Sequence, residues 1–377
     1  MRVTMTNSSL FGGGAERVMV TIANAWAERG WPVEIVTLAD APSFYPLNSA
    51  VTHTRLGLRG SSGNPVRAIM TNARRQKALR RTIRASRPEV VIGFLTATSV
   101  QTLLATRGLG VPVIVEEHSD PTIEKVHPIW RALRRATYPL AARVLVLSEV
   151  SRDYFPPAIR SNVELMPNPI AVAPPSAGIQ RGERRQLVSM GRFIEDKGFD
   201  TLLEAFARLA PDAPGWDLVI WGDGPQRPAL EAQRDRLGLG ERARLPGQTT
   251  APHDRLREAD LYVLASRREG FPMALAEAMA CGLPAVAFDL PSGPKALIRD
   301  GVDGLLVPNG DIEALVEGLG SVMRDDAMRS RMAEAAPDVL TRYGVDAVMA
   351  RWDELLGRIG GNGGHGGPPL RRRRGDG

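Results

Sequence analysis

The chain contains one cysteine, Cys281, so it can form neither an internal disulfide nor a thiolate cluster for a metal. Its five histidines are scattered without paired spacing, which leaves little from which to build a zinc site. No Asp-x-Asp triplet occurs. No apolar run approaches the roughly 20 residues that a spanning helix requires. The opening Met1-Arg2-Val3-Thr4-Met5-Thr6-Asn7 lacks the apolar core and small-residue cleavage site of a secretion signal, so the expected location is the cytoplasm. Aromatics are 5 % of the residues and no nucleic-acid recognition motif accompanies them, which counts against a nucleic-acid partner. Lysine is scarce too, with only Lys77, Lys125, Lys197 and Lys295, so arginine is the default cation and its abundance alone carries no message.

What is present is the balance of a folded protein: 377 residues, 43 % hydrophobic and 24 % charged, enough for about two domains. The net charge of +6 is unevenly spread, at +9 over residues 1–170 and −3 over the remainder. Short apolar runs (2–5, 33–38, 90–94, 111–115 and 144–147) alternate with amphipathic stretches such as 15–29 and 98–107. That alternation predicts a parallel sheet covered on both faces. A Pro-rich break after Ile170, Ala171-Val172-Ala173-Pro174-Pro175, ends the series, and a second begins with runs at 187–190, 218–221, 261–264, 285–288 and 305–307. The expected architecture is α/β, with two doubly wound Rossmann-like domains, 1–170 and 171–345, facing across a cleft. A terminal helix is expected over 346–359, packing back on the first domain, followed by a disordered Gly/Arg tail over 360–377. In such sheets ligands bind beyond the carboxyl ends of the strands, so the cleft is the expected active site.

Three segments carry the chemistry. Gly12-Gly13-Gly14-Ala15-Glu16-Arg17 follows the first strand and opens a helix, where glycines allow close backbone approach and free N–H groups attract anions. Arg17 breaks the dinucleotide pattern G-x-G-x-x-G, and a plain tight turn is the competing reading. Gly191-Arg192-Phe193-Ile194-Glu195-Asp196-Lys197-Gly198 puts a planar cation and a mobile one beside a helix start, a natural diphosphate site, with a solvated loop that pairs its own Glu195 and Asp196 as the lesser alternative. Arg268-Glu269-Gly270-Phe271-Pro272-Met273 leads into a helix bearing Glu277, so two carboxylates bracket a helix N-terminus and can accept hydrogen bonds from sugar hydroxyls.

Together with Gly222-Asp223-Gly224-Pro225, Leu245-Pro246-Gly247, Cys281-Gly282-Leu283-Pro284 and Asp300-Gly301-Val302-Asp303-Gly304, these segments resemble the retaining GT-B glycosyltransferases of the group 1 type, carbohydrate-active family four. Phe288-Asp289-Leu290-Pro291-Ser292-Gly293-Pro294 resembles the loop of a subgroup that transfers galactose or N-acetylhexosamines onto lipid-linked bacterial glycans, with Leu290 and Ser292 where that subgroup has Cys and Thr. The resemblance implies a UDP-sugar donor, no cofactor and no metal. It places the diphosphate on Arg192 and Lys197, the ribose on Glu277, and the donor sugar on Glu269. Gly222 belongs to the donor site, and the Phe271-Pro272-Met273 segment supplies backbone N–H groups. From the first domain, Gly13 and Gly14 close over the diphosphate and His118 faces the sugar, although a histidine at a strand end is as often structural. Nucleotide-sugar epimerases share the two-domain shape, and a non-catalytic nucleotide-sugar or membrane-binding module could use the same fold.

Residues 66–87 hold eight basic side chains and no acid, among them Arg67, Arg74, Arg75, Lys77, Arg80, Arg81 and Arg84. Wound as a helix, Val66, Ile69, Met70, Ala73, Leu79 and Ile83 fill about half the circumference, with many cations opposite. An ordinary amphipathic helix would look the same. With the second basic stretch from Trp130 to Tyr138, the pattern leads us to expect a peripheral surface for anionic membrane and a lipid-linked glycan acceptor.

Overall fold

The computed structural model describes residues 1–60, 65–118, 121, 126–176 and 182–361. Two all-parallel sheets form two Rossmann-like domains. The first contains β1 (Val3–Asn7), β2 (Val33–Thr37), β3 (Val51–Arg55), β4 (Val90–Phe94), β5 (Val113–Glu116), β6 (Arg143–Val146) and β7 (Val163–Leu165), in the spatial order β3-β2-β1-β4-β5-β6-β7. The second contains β8 (Arg185–Met190), β9 (Trp216–Trp221), β10 (Ala243–Gly247), β11 (Leu261–Leu264), β12 (Ala285–Asp289) and β13 (Gly304–Pro308), in the order β10-β9-β8-β11-β12-β13. Strand order reverses beside β1 in one sheet and beside β8 in the other. The crevices at those reversals face each other, and this is where an open α/β sheet leaves room for a ligand.

The apolar runs follow from this topology, because central parallel strands are covered on both faces. Every residue of β1 and β4 is buried. Helices α1 (Gly14–Glu28), α2 (Pro65–Ser86), α3 (Thr96–Thr106) and α4 (Pro128–Thr137) flank the first sheet. The chain crosses to the second domain near Ile170, whose N–H donates to the Tyr343 carbonyl at 2.7 Å, so the outgoing and returning segments lie side by side. The last helix, Val345–Gly361, then packs on the first domain. Its Val348, Met349, Trp352, Leu355 and Leu356 join the core around α1, with Trp352 edge-on to Trp26 at 5.3 Å.

Candidate active site

The second domain builds its side of the cleft from strand ends. After β8 the chain turns out through Gly191-Arg192-Phe193, and after β9 through Gly222-Asp223-Gly224. A Cβ on Gly222, whose φ is 146°, would stand 1.8 Å from the Gly191 carbonyl oxygen, so only glycine lets these two loops lie against each other. Arg192 is exposed beside them. It lines a cavity of about 600 Å³ together with Trp221, Gly222, Gln248 and Thr249 and, from the other domain, Gly12.

Lys197 is pinned by its neighbour. Gly198, with φ 65°, lies so close to β11 that a Cβ would sit 1.9 Å from the Ala265 carbonyl oxygen. Lys197 Nζ donates to Glu269 Oε1 at 2.6 Å, and Ser266 Oγ donates to the same oxygen at 2.7 Å. Ser292 Oγ braces the Glu269 carbonyl at 2.6 Å, and Gly293 packs against Pro272 and Glu269. The helix Met273–Ala280 starts next to this pair. Pro272 is its cap and has no N–H, which corrects the expectation that all three residues of Phe271-Pro272-Met273 donate: only Phe271 and Met273 can. Phe271 buries its ring edge-on to Tyr343.

Glu277 lies on the second turn of that helix and is 3 % exposed. Arg17 of α1 donates to its Oε1 across the cleft, while His253 Nε2 stands 3.7 Å from its Oε2. On the opposite wall Gly13 caps α1 and Gly14 begins it, with open space where a Gly14 side chain would point. Tyr45 Oη donates to the Gly12 carbonyl at 2.9 Å and holds the glycine turn, and the Arg17 guanidinium lies over the Tyr45 ring. Burial is the main cause that raises the Tyr45 hydroxyl above its ordinary pKa, although Arg17 pulls the other way.

His118 stacks on Phe94 at 5.0 Å with its Nε2 3.1 Å from Glu116 Oε2, and the side chain is largely buried. Next to it, buried Glu117 accepts from Thr96 Oγ1 at 2.9 Å and from Tyr138 Oη. Burial first, then the Glu117 charge, raises the Tyr138 hydroxyl well above its usual range.

Residues 177–339 match the model for Glycosyl transferases group 1, and residues 13–171 match the Glycosyl transferase 4-like domain. An alpha-D-kanosaminyltransferase from Streptomyces kanamyceticus is 30 % identical over 310 residues, covering 75 % of this chain and 79 % of that protein. The chain belongs to the group 1 glycosyltransferases. A Campylobacter jejuni relative, named GalNAc-alpha-(1->4)-GalNAc-alpha-(1->3)-diNAcBac-PP-undecaprenol alpha-1,4-N-acetyl-D-galactosaminyltransferase, is 29 % identical over 361 residues, or 95 % of this chain and 99 % of that one. The fold is GT-B. The solved structure of Anabaena HepE in complex with UDP and glucose superposes with a TM-score of 0.78 over 94 % of this chain and 99 % of that one, at 19 % identity.

Around its cleft the glycosyltransferase brings Lys197 to Glu269, and Arg17 and His253 to Glu277. In the sequence Arg17 stands out only as a missing glycine, and His253, Glu117 and Tyr45 do not stand out at all. None of these has a local signal, since their partners lie far along the chain. The basic helix α2 divides into two groups. Arg74, Lys77, Arg81 and Arg84 are exposed at helical spacing, three or four residues apart. Arg75 instead donates to the Leu58 carbonyl at 2.8 Å, and Arg80 to those of Ala105 and Arg107 at 2.8 and 2.7 Å, so one braces the loop after β3, the other the end of α3, and neither projects outward. Met70, expected on the apolar face, is 53 % exposed. The Arg67 side chain and residues 362–377 of the expected Gly/Arg tail lie outside the described residues, while its first two positions, 360 and 361, belong to the last helix.

Proposed function

We propose that this glycosyltransferase moves a hexose or N-acetylhexosamine from a UDP-sugar to a polyprenyl-diphosphate-linked glycan, without a metal and with retention of anomeric configuration. The observation that carries the reading is the Lys197–Glu269 contact at 2.6 Å, beside Arg192 and at the start of the helix that holds Glu277. A nucleotide sugar has the matching order of groups. The diphosphate meets Arg192, Lys197 and the N–H groups of Phe271 and Met273; the ribose hydroxyls meet Glu277; the sugar hydroxyls meet Glu269. Gly13 and Gly14 close from the opposite wall, and His118 faces the sugar.

In the reaction the anomeric C–O bond breaks and its electron pair goes to the diphosphate oxygen. The acceptor hydroxyl adds on the same face and its proton passes to that oxygen. Arg192, Lys197 and the helix start stabilise the charge that develops, the kind of preorganised donor whose removal costs on the order of 10²- to 10³-fold in rate. The printed name of the Campylobacter relative supports a lipid-linked acceptor. The exposed stripe Arg74, Lys77, Arg81 and Arg84, with Arg131, Arg135 and exposed Ile129 of α4, supports contact with an anionic membrane face. No described helix is long and apolar enough to cross a membrane.

The test incubates the protein and its Glu269→Gln variant with a panel of UDP-sugars and polyprenyl-diphosphate glycans, with and without EDTA. UDP release and labelled lipid are followed. One donor should give acceptor-dependent product that EDTA leaves unchanged and that the variant loses by at least a hundredfold. Interconversion of UDP-sugars without acceptor would make the protein an epimerase. Nucleotide binding with no turnover on any acceptor would favour a binding module.

A further inference from the structure

Glu277 needs a fixed orientation to receive two ribose hydroxyls, and its own helix does not supply one. Its Oε1 is held by Arg17, which belongs to the other domain and is 25 % exposed at the cleft, so that contact depends on how the domains sit. The neighbour within its own domain is His253, on the short helix Pro252–Arg257. His253 is buried, and its Nδ1 accepts a hydrogen bond of 3.0 Å from the backbone N–H of Ala173. An N–H donor at Nδ1 forces that nitrogen to be the acceptor, so the neutral ring carries its proton on Nε2. Nε2 stands 3.7 Å from Glu277 Oε2 and has no hydrogen-bond partner among the described residues. A buried N–H left without an acceptor costs free energy, and a closing movement of under about 1 Å would satisfy it on the carboxylate.

We propose that His253 is a positioning residue for donor binding. Its Ala173 contact sets the tautomer, and its Nε2–H holds Glu277 in place when ribose hydroxyls take the position that Arg17 occupies here. Ala173 lies in the segment joining the two sheets, so the same imidazole ties the ribose carboxylate to the interdomain linker. The inference rests on the reading of Glu277 as the ribose acceptor.

Two amide variants separate the functions of the two ring nitrogens. In His253→Asn the amide oxygen stands where Nδ1 was and keeps the linker bond, but nothing reaches Glu277. In His253→Gln the amide nitrogen stands near Nε2 and keeps the donor to Glu277. Calorimetry on the full chain with UDP and with 2′-deoxy-UDP, read beside the melting temperature, should show UDP binding weakened on the order of tenfold in His253→Asn. It should show a smaller loss for 2′-deoxy-UDP, which keeps one of the two hydroxyls, and UDP affinity within about twofold of the parent in His253→Gln. Equal losses for both nucleotides, or no recovery in His253→Gln, would overturn the inference and leave His253 a structural residue. If His253→Asn does not fold, the affinity of His253→Gln decides alone. An unmodified protein that binds UDP and 2′-deoxy-UDP equally well would instead overturn the ribose role of Glu277, and the inference with it.

Discussion

Arg17 and Glu277 join the two domains across the cleft: a guanidinium from the first helix of one domain donates to a carboxylate buried in the other, 260 residues away. The carboxylate so engaged is the one assigned to the ribose, so nucleotide and Arg17 compete for it. Arg17→Ala should therefore bind UDP more tightly, by a factor of about five, corresponding to the roughly 1 kcal/mol of a partly exposed ion pair. Small-angle scattering of the same variant without nucleotide should show a larger radius of gyration, because a tie between the domains is gone. Weaker UDP binding would mean that Arg17 contacts the donor and does not compete with it.

Two glycines should respond in opposite ways. Gly222→Ala drives a methyl group into the Gly191 backbone at a φ of 146°, so it should lower the melting temperature by several degrees and abolish UDP binding by pushing apart the loops beside Arg192. Gly14→Ala meets nothing within 4 Å and stands in the first turn of α1, so its melting temperature should hold or rise slightly. Its transfer rate should nevertheless fall at least tenfold, since the new methyl occupies space that the diphosphate is assigned. Full activity in Gly14→Ala would remove the glycine turn from the donor site.

The contrast between strands the sequence shows and strands it hides has a physical cause. The central runs, such as Val90–Phe94, are buried on both faces and read as continuous apolar segments. The strands without a signal, β3, β7 and β10, are all sheet edges. Val51–Arg55 buries only its first residue and Val163–Leu165 none, so neither needs an apolar run. The site divides in the same way. Arg192, Lys197, Glu269 and Glu277 stand in loops and on a helix that follow legible strands, so their neighbourhood could be inferred. The contacts themselves, Lys197 to Glu269 over 72 residues and Arg17 to Glu277 over 260, depend on how strand ends and domains face each other, and no local pattern encodes that. Arg75 and Arg80 are the reverse case: the helical period places them with the other cations, but backbone carbonyls within reach, of Leu58 and of the end of α3, claim them.

Cys281, at the end of the Glu277 helix, should be a slow thiol. Burial pushes it up to about 11, and Glu277 adds to this while Arg257 opposes it. The thiolate is the reactive form, so at pH 8 only about one thiol in a thousand is ionised, and alkylation should speed up about tenfold per pH unit until near pH 11. Iodoacetamide at pH 8 should label the folded protein far more slowly than the urea-unfolded chain, whose thiol titrates near the ordinary value. A folded-state rate that is flat between pH 8 and 10 would contradict the shift.

The basic helix offers a test in which neighbouring arginines should behave differently. Arg74, Lys77, Arg81 and Arg84 are exposed, and a basic residue near an anionic bilayer contributes about 1 kcal/mol. Changing all four to glutamine should reduce sedimentation with phosphatidylglycerol-containing vesicles by on the order of 10²- to 10³-fold in partition coefficient, with little change in melting temperature. The unmodified protein should lose its binding as salt rises, because screening shortens the reach of surface charge. Arg75→Gln and Arg80→Gln, of equal charge change per residue, should instead lower the melting temperature. Their guanidiniums satisfy the carbonyls of Leu58, Ala105 and Arg107, and shorter amides leave those acceptors unmet. If each substitution in the two sets weakened vesicle binding equally, net charge and not the α2 stripe would govern attachment.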